Sequence, residues 1–129
     1  MADVVWQVEH IPDESDTYMR AHRMYFRGRT LQPGVFRTHD GGMSVDWDKY
    51  STPEETRQRS KNPLDNAVIR LPVVGIRDID NLEAKHTPDQ TTGYENRAHS
   101  DVVGIPDGGE DLTEVRALLL DISKIAIAL

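Results

Sequence analysis

The chain has 129 residues, 15 Lys and Arg against 22 Asp and Glu, a formal net charge of −7 and no cysteine. A single domain of this length buries roughly two thirds of the surface its unfolded chain exposes, so a core forms even with 37% apolar residues. The acidic balance excludes a general nucleic-acid binder, which needs a dense positive face, and the lack of cysteine excludes disulfides, thiolate metal sites and thiol nucleophiles.

The first residues, MADVVWQVEH, place no basic segment ahead of a long apolar run, so no secretory leader is expected. No stretch approaches the ~20 apolar residues of a membrane span. Together with the absent thiols this fits a cytoplasmic protein. Residues 4–8 have the composition of a short strand, and IPDESD that of a turn or a helix start. Residues 17–26, TYMRAHRMYF, satisfy either a helix or a strand. Pro33-Gly34 marks a turn, residues 35–37 a strand fragment, and Asp40-Gly41-Gly42 a tight turn. In MSVDW, residues 43–47, Met43, Val45 and Trp47 alternate with Ser44 and Asp46, as in a half-buried strand.

Thr52-Pro53-Glu54-Glu55 spells a capping box with proline at the first helical position. The helix it opens has almost no apolar face, so it is expected to be short and exposed, with Asn62-Pro63 closing the segment. Residues 67–71 read as a buried strand that ends at Pro72, which cannot donate to a ladder. VVGIRDID reads as a helical turn, residues 82–87 as a strand, 88–97 as a loop, and 99–105 as the antiparallel partner of 82–87. Val115, Leu118, Leu119, Ile122, Ile125, Ala126 and Leu129 recur at the helical period, which predicts a helix over 113–128 capped by Thr113 and packed on the sheet. Leu120 and Ile127 widen that stripe and offer a surface for a second subunit or another protein.

Candidate chemistry is sparse. His10, His22, His39, His86 and His99 show no metal-ligand spacing, and no phosphate-cradling glycine loop or nucleophile elbow is present. Ser44 is a hydroxyl nucleophile if the fold brings it a histidine base. His86 ends one strand and His99 begins the next, with Asn96 and Arg97 beside them. An amide, a guanidinium and imidazoles gathered at one sheet end suit an anionic ligand, or else pin a long loop. Arg20 and His22 share a face if 17–26 is a strand, and lie about 200° apart if it is a helix. With the neighbouring Arg23, Arg27 and Arg29 they form a basic patch that reads as a solvated surface balanced by acidic residues elsewhere, or else meets one small anion.

Arg20-Ala21-His22, Phe36, residues 42–46, residues 52–55 and residues 96–99 together resemble a family of small conserved bacterial proteins with no known activity. An arginine on an early strand, a serine on a later one and an acidic residue further on is also similar to the plan of ADP-ribosyltransferase-like folds, with Arg20, Ser44 and Glu54 or Glu55 in those places. That analogy implies a polar hold on a dinucleotide.

The expectation is therefore one α+β domain, with a mostly antiparallel sheet covered by the C-terminal helix. Arg20, His22, Ser44, Asp46, Asn96, Arg97 and His99 are expected to line a polar pocket for a nucleotide-like or other small anion. In an enzyme, Arg97 or Arg20 would hold phosphate, His99 would act as acid or base, and Ser44 as nucleophile, in a transfer or hydrolysis reaction. No metal is expected and no cofactor is specified. The alternative is a non-enzymatic interaction module, as in a toxin–antitoxin or phage-defence pair.

Overall fold

Alternation of apolar and polar residues in β4 and a continuous apolar run in β5 build the central sheet, and every neighbouring pair of strands in it is antiparallel. The computed structural model describes residues 4–129. Its strands are β1 (Asp16–His22), β2 (Phe26–Arg27), β3 (Thr30–Leu31), β4 (Gly42–Trp47), β5 (Asn66–Pro72), β6 (Glu83–His86), β7 (His99–Val103) and β8 (Lys124–Ile127). The helices are α1 (Pro53–Gln58), α2 (Val73–Arg77) and α3 (Gly109–Ile122). Six strands form one sheet in the order β6-β7-β4-β1-β5-β8, and β2 pairs with β3 apart from it. The chain is an α+β protein.

The period of two sorts the strands into two faces. Met19 and Ala21 of β1, Met43, Val45 and Trp47 of β4, Ile69 and Leu71 of β5, Ala84 of β6 and Val102 of β7 are all buried on one face. They join Val115 and Leu119 of α3 in a single core. Burying each large aliphatic side chain contributes roughly 1.5–3 kcal/mol, so this layer supplies most of the driving force. Arg20, Ser44, Asp46, His99 and Asp101 point the other way, with Asp46 opposite His99 and Ser44 opposite Asp101. Residues 17–22 are therefore strand, while 23–25 form a single 3₁₀ turn.

The ladder between the two central strands β4 and β1 is cut short. β1 pairs with β5 along all seven of its residues, and β4 pairs with β7 from Gly42 to Asp46. Between β1 and β4, however, the ladder holds only Thr17 with Trp47 and Tyr18 with Asp46. Beyond that point the two central strands part.

Several expectations fail for identifiable reasons. Residues 4–8 have no ladder partner; the segment is instead pinned by side chains. The Glu9 amide donates to Nδ1 of buried His86 at 3.0 Å, and Gln90 bonds the backbone of Val4 and Trp6. Residues 35–37 are not a strand: Val35 ends a 3₁₀ turn, and buried Phe36 lends its carbonyl to Arg116 of α3. The final helix runs from Gly109 to Ile122 rather than over 113–128. Thr113 lies within it, donating to the Gly109 carbonyl, and Gly108 takes the N-cap position expected of Thr113. After Ser123 turns extended, alternating Ile125 and Ile127 complete the outer edge of β5 as β8, with a register shift at Val68 and Ile69. The β-branched pair suits a pleated edge, and β5 offered an unfilled ladder. Leu120 packs against the core and Ile127 lies on a strand, so the two do not form one docking stripe.

As the chain leaves β7, Gly104 has φ +95°, and a Cβ there would lie 1.9 Å from the Asn81 carbonyl oxygen. Gly104→Ala should therefore cost about 3 kcal/mol in urea denaturation, because backbone strain adds to a clash with backbone. Gly34→Ala, facing open space, should stay within about 0.5 kcal/mol of wild type. Equal midpoints for the two variants would refute this account of the β7 exit.

Candidate functional site

The parting of β1 from β4 creates the site. Backbone direction along β4 follows from its flanks. The Trp47 amide reaches the Ala98 carbonyl on the β7 side, and the Asp48 amide reaches the Asp16 carbonyl on the β1 side. Even-numbered residues of β4 therefore aim their N–H and C=O at β1. Arg20 and Ser44 would be the next pair to exchange hydrogen bonds, and that pairing is not made. Their backbone groups face a hollow of about 180 Å³, lined among others by Tyr18, Arg20, Ser44, Asp46, Asn96 and His99. A space of this size fits a phosphate- or carboxylate-sized group rather than a whole drug-sized ligand.

Asp46 forms the floor. Its carboxylate is almost wholly buried and accepts from Thr56 Oγ1 at 2.8 Å, Arg59 Nη1 at 2.8 Å and Asn96 Nδ2 at 2.7 Å. α1 supplies Thr56, and its C-terminal end supplies Arg59. The capping box that starts α1 is formed as the sequence indicates, Thr52 and Glu55 each bonding the other's backbone amide. Glu55 is thereby committed to the cap, and Glu54 bonds Gln58 one turn on. Asn96 ties the far loop to the same carboxylate, while its own carbonyl accepts the Ala98 amide.

Above the floor stands a hydroxyl–imidazole pair. His99 Nε2 lies 3.2 Å from Ser44 Oγ, and His99 Nδ1 lies 2.9 Å from the Thr87 carbonyl and 3.0 Å from Thr87 Oγ1. A carbonyl only accepts, so Nδ1 carries the hydrogen and Nε2 presents its lone pair to the Ser44 hydroxyl. Thr87 Oγ1 passes its own hydrogen to Asp101 Oδ2 at 2.9 Å. The chain Ser44–His99–Thr87–Asp101 thus runs in one direction and ends on a carboxylate. Gly42 makes room for it: a Cβ there would come within 2.8 Å of Asp101 Oδ1.

Arg20 overhangs the hollow, with Nη1 held by the Thr56 carbonyl at 3.2 Å. It also lines two adjoining hollows. One, of about 370 Å³, includes Arg37, His39 and Ser44; the other, of about 330 Å³, includes Arg59, Tyr94, Asn96 and His99. The loop bearing Tyr94 and Asn96 is braced by reciprocal backbone bonds between Asp89 and Asn96. Asp89 accepts the Thr91 amide and Glu95 the Gly93 amide, and these bonds hold both carboxyls below their usual range.

Five of the seven expected residues converge: Arg20, Ser44, Asp46, Asn96 and His99. His22 does not, although it shares Arg20's face; its Nδ1 accepts the Met24 amide and caps the 3₁₀ turn. Arg97 also lies elsewhere, stacked 4.4 Å over the Tyr50 ring, and its carbonyl bonds His86 Nε2 at 2.7 Å. His86 and His99 do end up near one sheet end, but on opposite faces, because His86 pairs with Ser100 and not with His99. His86 is buried among Trp47 and Tyr50 as a structural histidine. Thr56, Thr87, Arg59 and Asp101 escaped sequence reading. The alternation in HSDVV put Asp101 on His99's face, and that signal could have found it. Among the described residues, no group of three or more His, Cys, Asp or Glu side chains is placed to hold a metal ion.

No family model, no curated protein and no solved structure matches the chain.

Asp46→Ala should destabilise the protein by about 2–3 kcal/mol in chemical denaturation, since it strands Arg59 and Asn96 together. A loss below 1 kcal/mol would show that the carboxylate does not hold the three elements. The loop carries a pH signature. Depressed Asp89 and Glu95 stabilise it above their unfolded pKa values, near 4, and that contribution is lost as pH falls through the lower folded values. Protection of the Thr91 and Gly93 amides, taken relative to their intrinsic exchange rates, should be lost selectively in acid, before that of the β5 amides; a uniform loss would contradict the bracing role.

Proposed function

We propose that this protein binds a small, nucleotide-like anion in the hollow between β1 and β4 and catalyses hydrolysis or transfer on it, as a cytoplasmic bacterial enzyme. The observation that carries the reading is the oriented pair of His99 and Ser44, 3.2 Å apart and backed by Thr87 and Asp101. Ser44 attacks an electrophilic carbonyl or phosphoryl centre through Oγ, and its proton passes to His99 Nε2. The bond to the leaving group breaks, and His99 returns the proton to the departing atom. A water, or an acceptor hydroxyl, then gives its proton to His99 and attacks the enzyme-bound group; the bond to Ser44 Oγ breaks, and His99 passes the proton to Oγ, which restores both side chains. The imidazolium formed in passing is stabilised through Thr87, whose hydroxyl accepts from Nδ1 while bonding Asp101.

Arg20 supplies the fixed positive charge, since a guanidinium stays protonated and matches the fork of an anion's oxygens. The backbone amides of Arg20 and Ser44, aimed into the gap, are donors for a developing oxyanion. Asp46 is no competitor for the ligand's charge, because Arg59 already neutralises it.

The test uses p-nitrophenyl phosphate and p-nitrophenyl acetate as reporters of turnover, and thermal shift with phosphate and nucleotides as the reporter of binding. Ser44→Ala and His99→Ala should each lower turnover by at least about 10²-fold while keeping the fold, as removal of a general base does. Arg20→Ala should abolish the thermal shift. A hundredfold excess of ligand over Kd should add ~2.7 kcal/mol of stability to the wild type. No shift with any ligand, and turnover unchanged in His99→Ala, would instead support the non-enzymatic interaction module.

A further inference from the structure

The three hollows that meet at Arg20 are not alike. On one side Arg20 is joined by Arg37 and His39, beside the open end of the β1–β4 gap. Arg37 keeps its charge, with Nη1 bonded to the Tyr25 hydroxyl at 3.0 Å. On the other side lie Tyr94, Asn96 and His99, with Asp89 and Glu95. Ser44 and His99 sit between the two ends.

Tyr94 is 77% exposed, a large aromatic ring left in water. It is nonetheless carried on a braced loop: its amide donates to the Thr91 carbonyl at 2.8 Å, Gly93 is bonded to Glu95, and Asp89 and Asn96 clamp the ends. A ring whose backbone is already ordered loses little further entropy when a flat partner stacks on it. Asp89 and Glu95 each spend one oxygen on the loop, which leaves the other to accept from an amino group.

We propose that the groove takes a nucleoside monophosphate in one direction, with its phosphate between Arg20 and Arg37 and its base on Tyr94 beside Asp89 and Glu95. This rests on the anion-binding reading above and adds the base platform and the polarity of binding. The sugar then lies over Ser44 and His99, so the phosphoryl centre joined to it is the electrophile within reach of Ser44. A base with an exocyclic amine fits the acidic end, and a second phosphate beyond the first would run toward His39.

Calorimetric titration of the whole protein with adenosine monophosphate and with ribose 5-phosphate, its baseless counterpart, separates the parts. Adenosine monophosphate should bind about tenfold tighter, the low end of what one base–aromatic stack contributes. Tyr94→Ala should remove that advantage and leave ribose 5-phosphate unchanged, Tyr94→Phe should keep it, and Arg37→Ala should weaken both ligands alike. Equal binding of the two ligands by the wild type, or an advantage that survives Tyr94→Ala, overturns the base platform and leaves the anion site standing. Failure of both ligands to bind overturns the platform and the anion site together.

Discussion

One buried carboxylate carries this structure's polar side. Asp46 sits where β4, α1 and the 88–97 loop meet, and it takes a donor from each of Thr56, Arg59 and Asn96. Removing a charge from water costs several kcal/mol, and only good geometry with the remaining lone pairs filled recovers it. Here the lone pairs are filled, and Ser51 extends the network by bonding both Thr56 and Arg59. The cost of leaving any donor unpaired is what holds a six-residue, nearly apolar-free helix and a ten-residue loop against the sheet. Neither has enough apolar surface to dock on its own.

Two-facedness explains how a modest core coexists with a polar groove. A period of two makes β4 and β7 place alternate residues on the core and on the groove. Met43, Val45 and Trp47 pack inward, so Ser44 and Asp46 have nowhere to go but the other side. The same rule separates His86 from His99. One is buried, with both ring nitrogens bonded, and secures the N-terminal segment through Glu9. The other faces the groove with Nε2 turned toward a serine. Two imidazoles close in sequence space and at one end of a hairpin thus serve unrelated purposes.

Sheets resist openings such as the gap between β1 and β4. Backbone groups that leave a ladder need other partners, and here the parting is tolerated at the groove, where solvent or a ligand reaches them. Gly42 contributes by yielding space to Asp101, and its own backbone is satisfied by His39 across the Asp40-Gly41 turn. The reactive pair, the guanidinium and the diverging strand edges therefore share one origin in the register.

Much was legible in the residues themselves. Alternation in 43–47, the apolar run at 67–71 and the capping box at 52–55 are local signals with local causes, and each produced its element. The paired strands around the 88–97 loop were equally readable. The C-terminal boundary was not, because Ile125 and Ile127 satisfy a helical stripe and a pleated edge alike; only the open ladder of β5 chose between them. For the same reason the sequence named Arg20, Ser44, Asp46, Asn96 and His99 as candidates yet also admitted His22 and Arg97, since residue type says what a side chain can do and not what it meets. Thr87 and Asp101 became visible only through pairing of β6, β7 and β4. Local patterning determined which residues face away from the core, and long-range register alone decided which of those faces lie side by side.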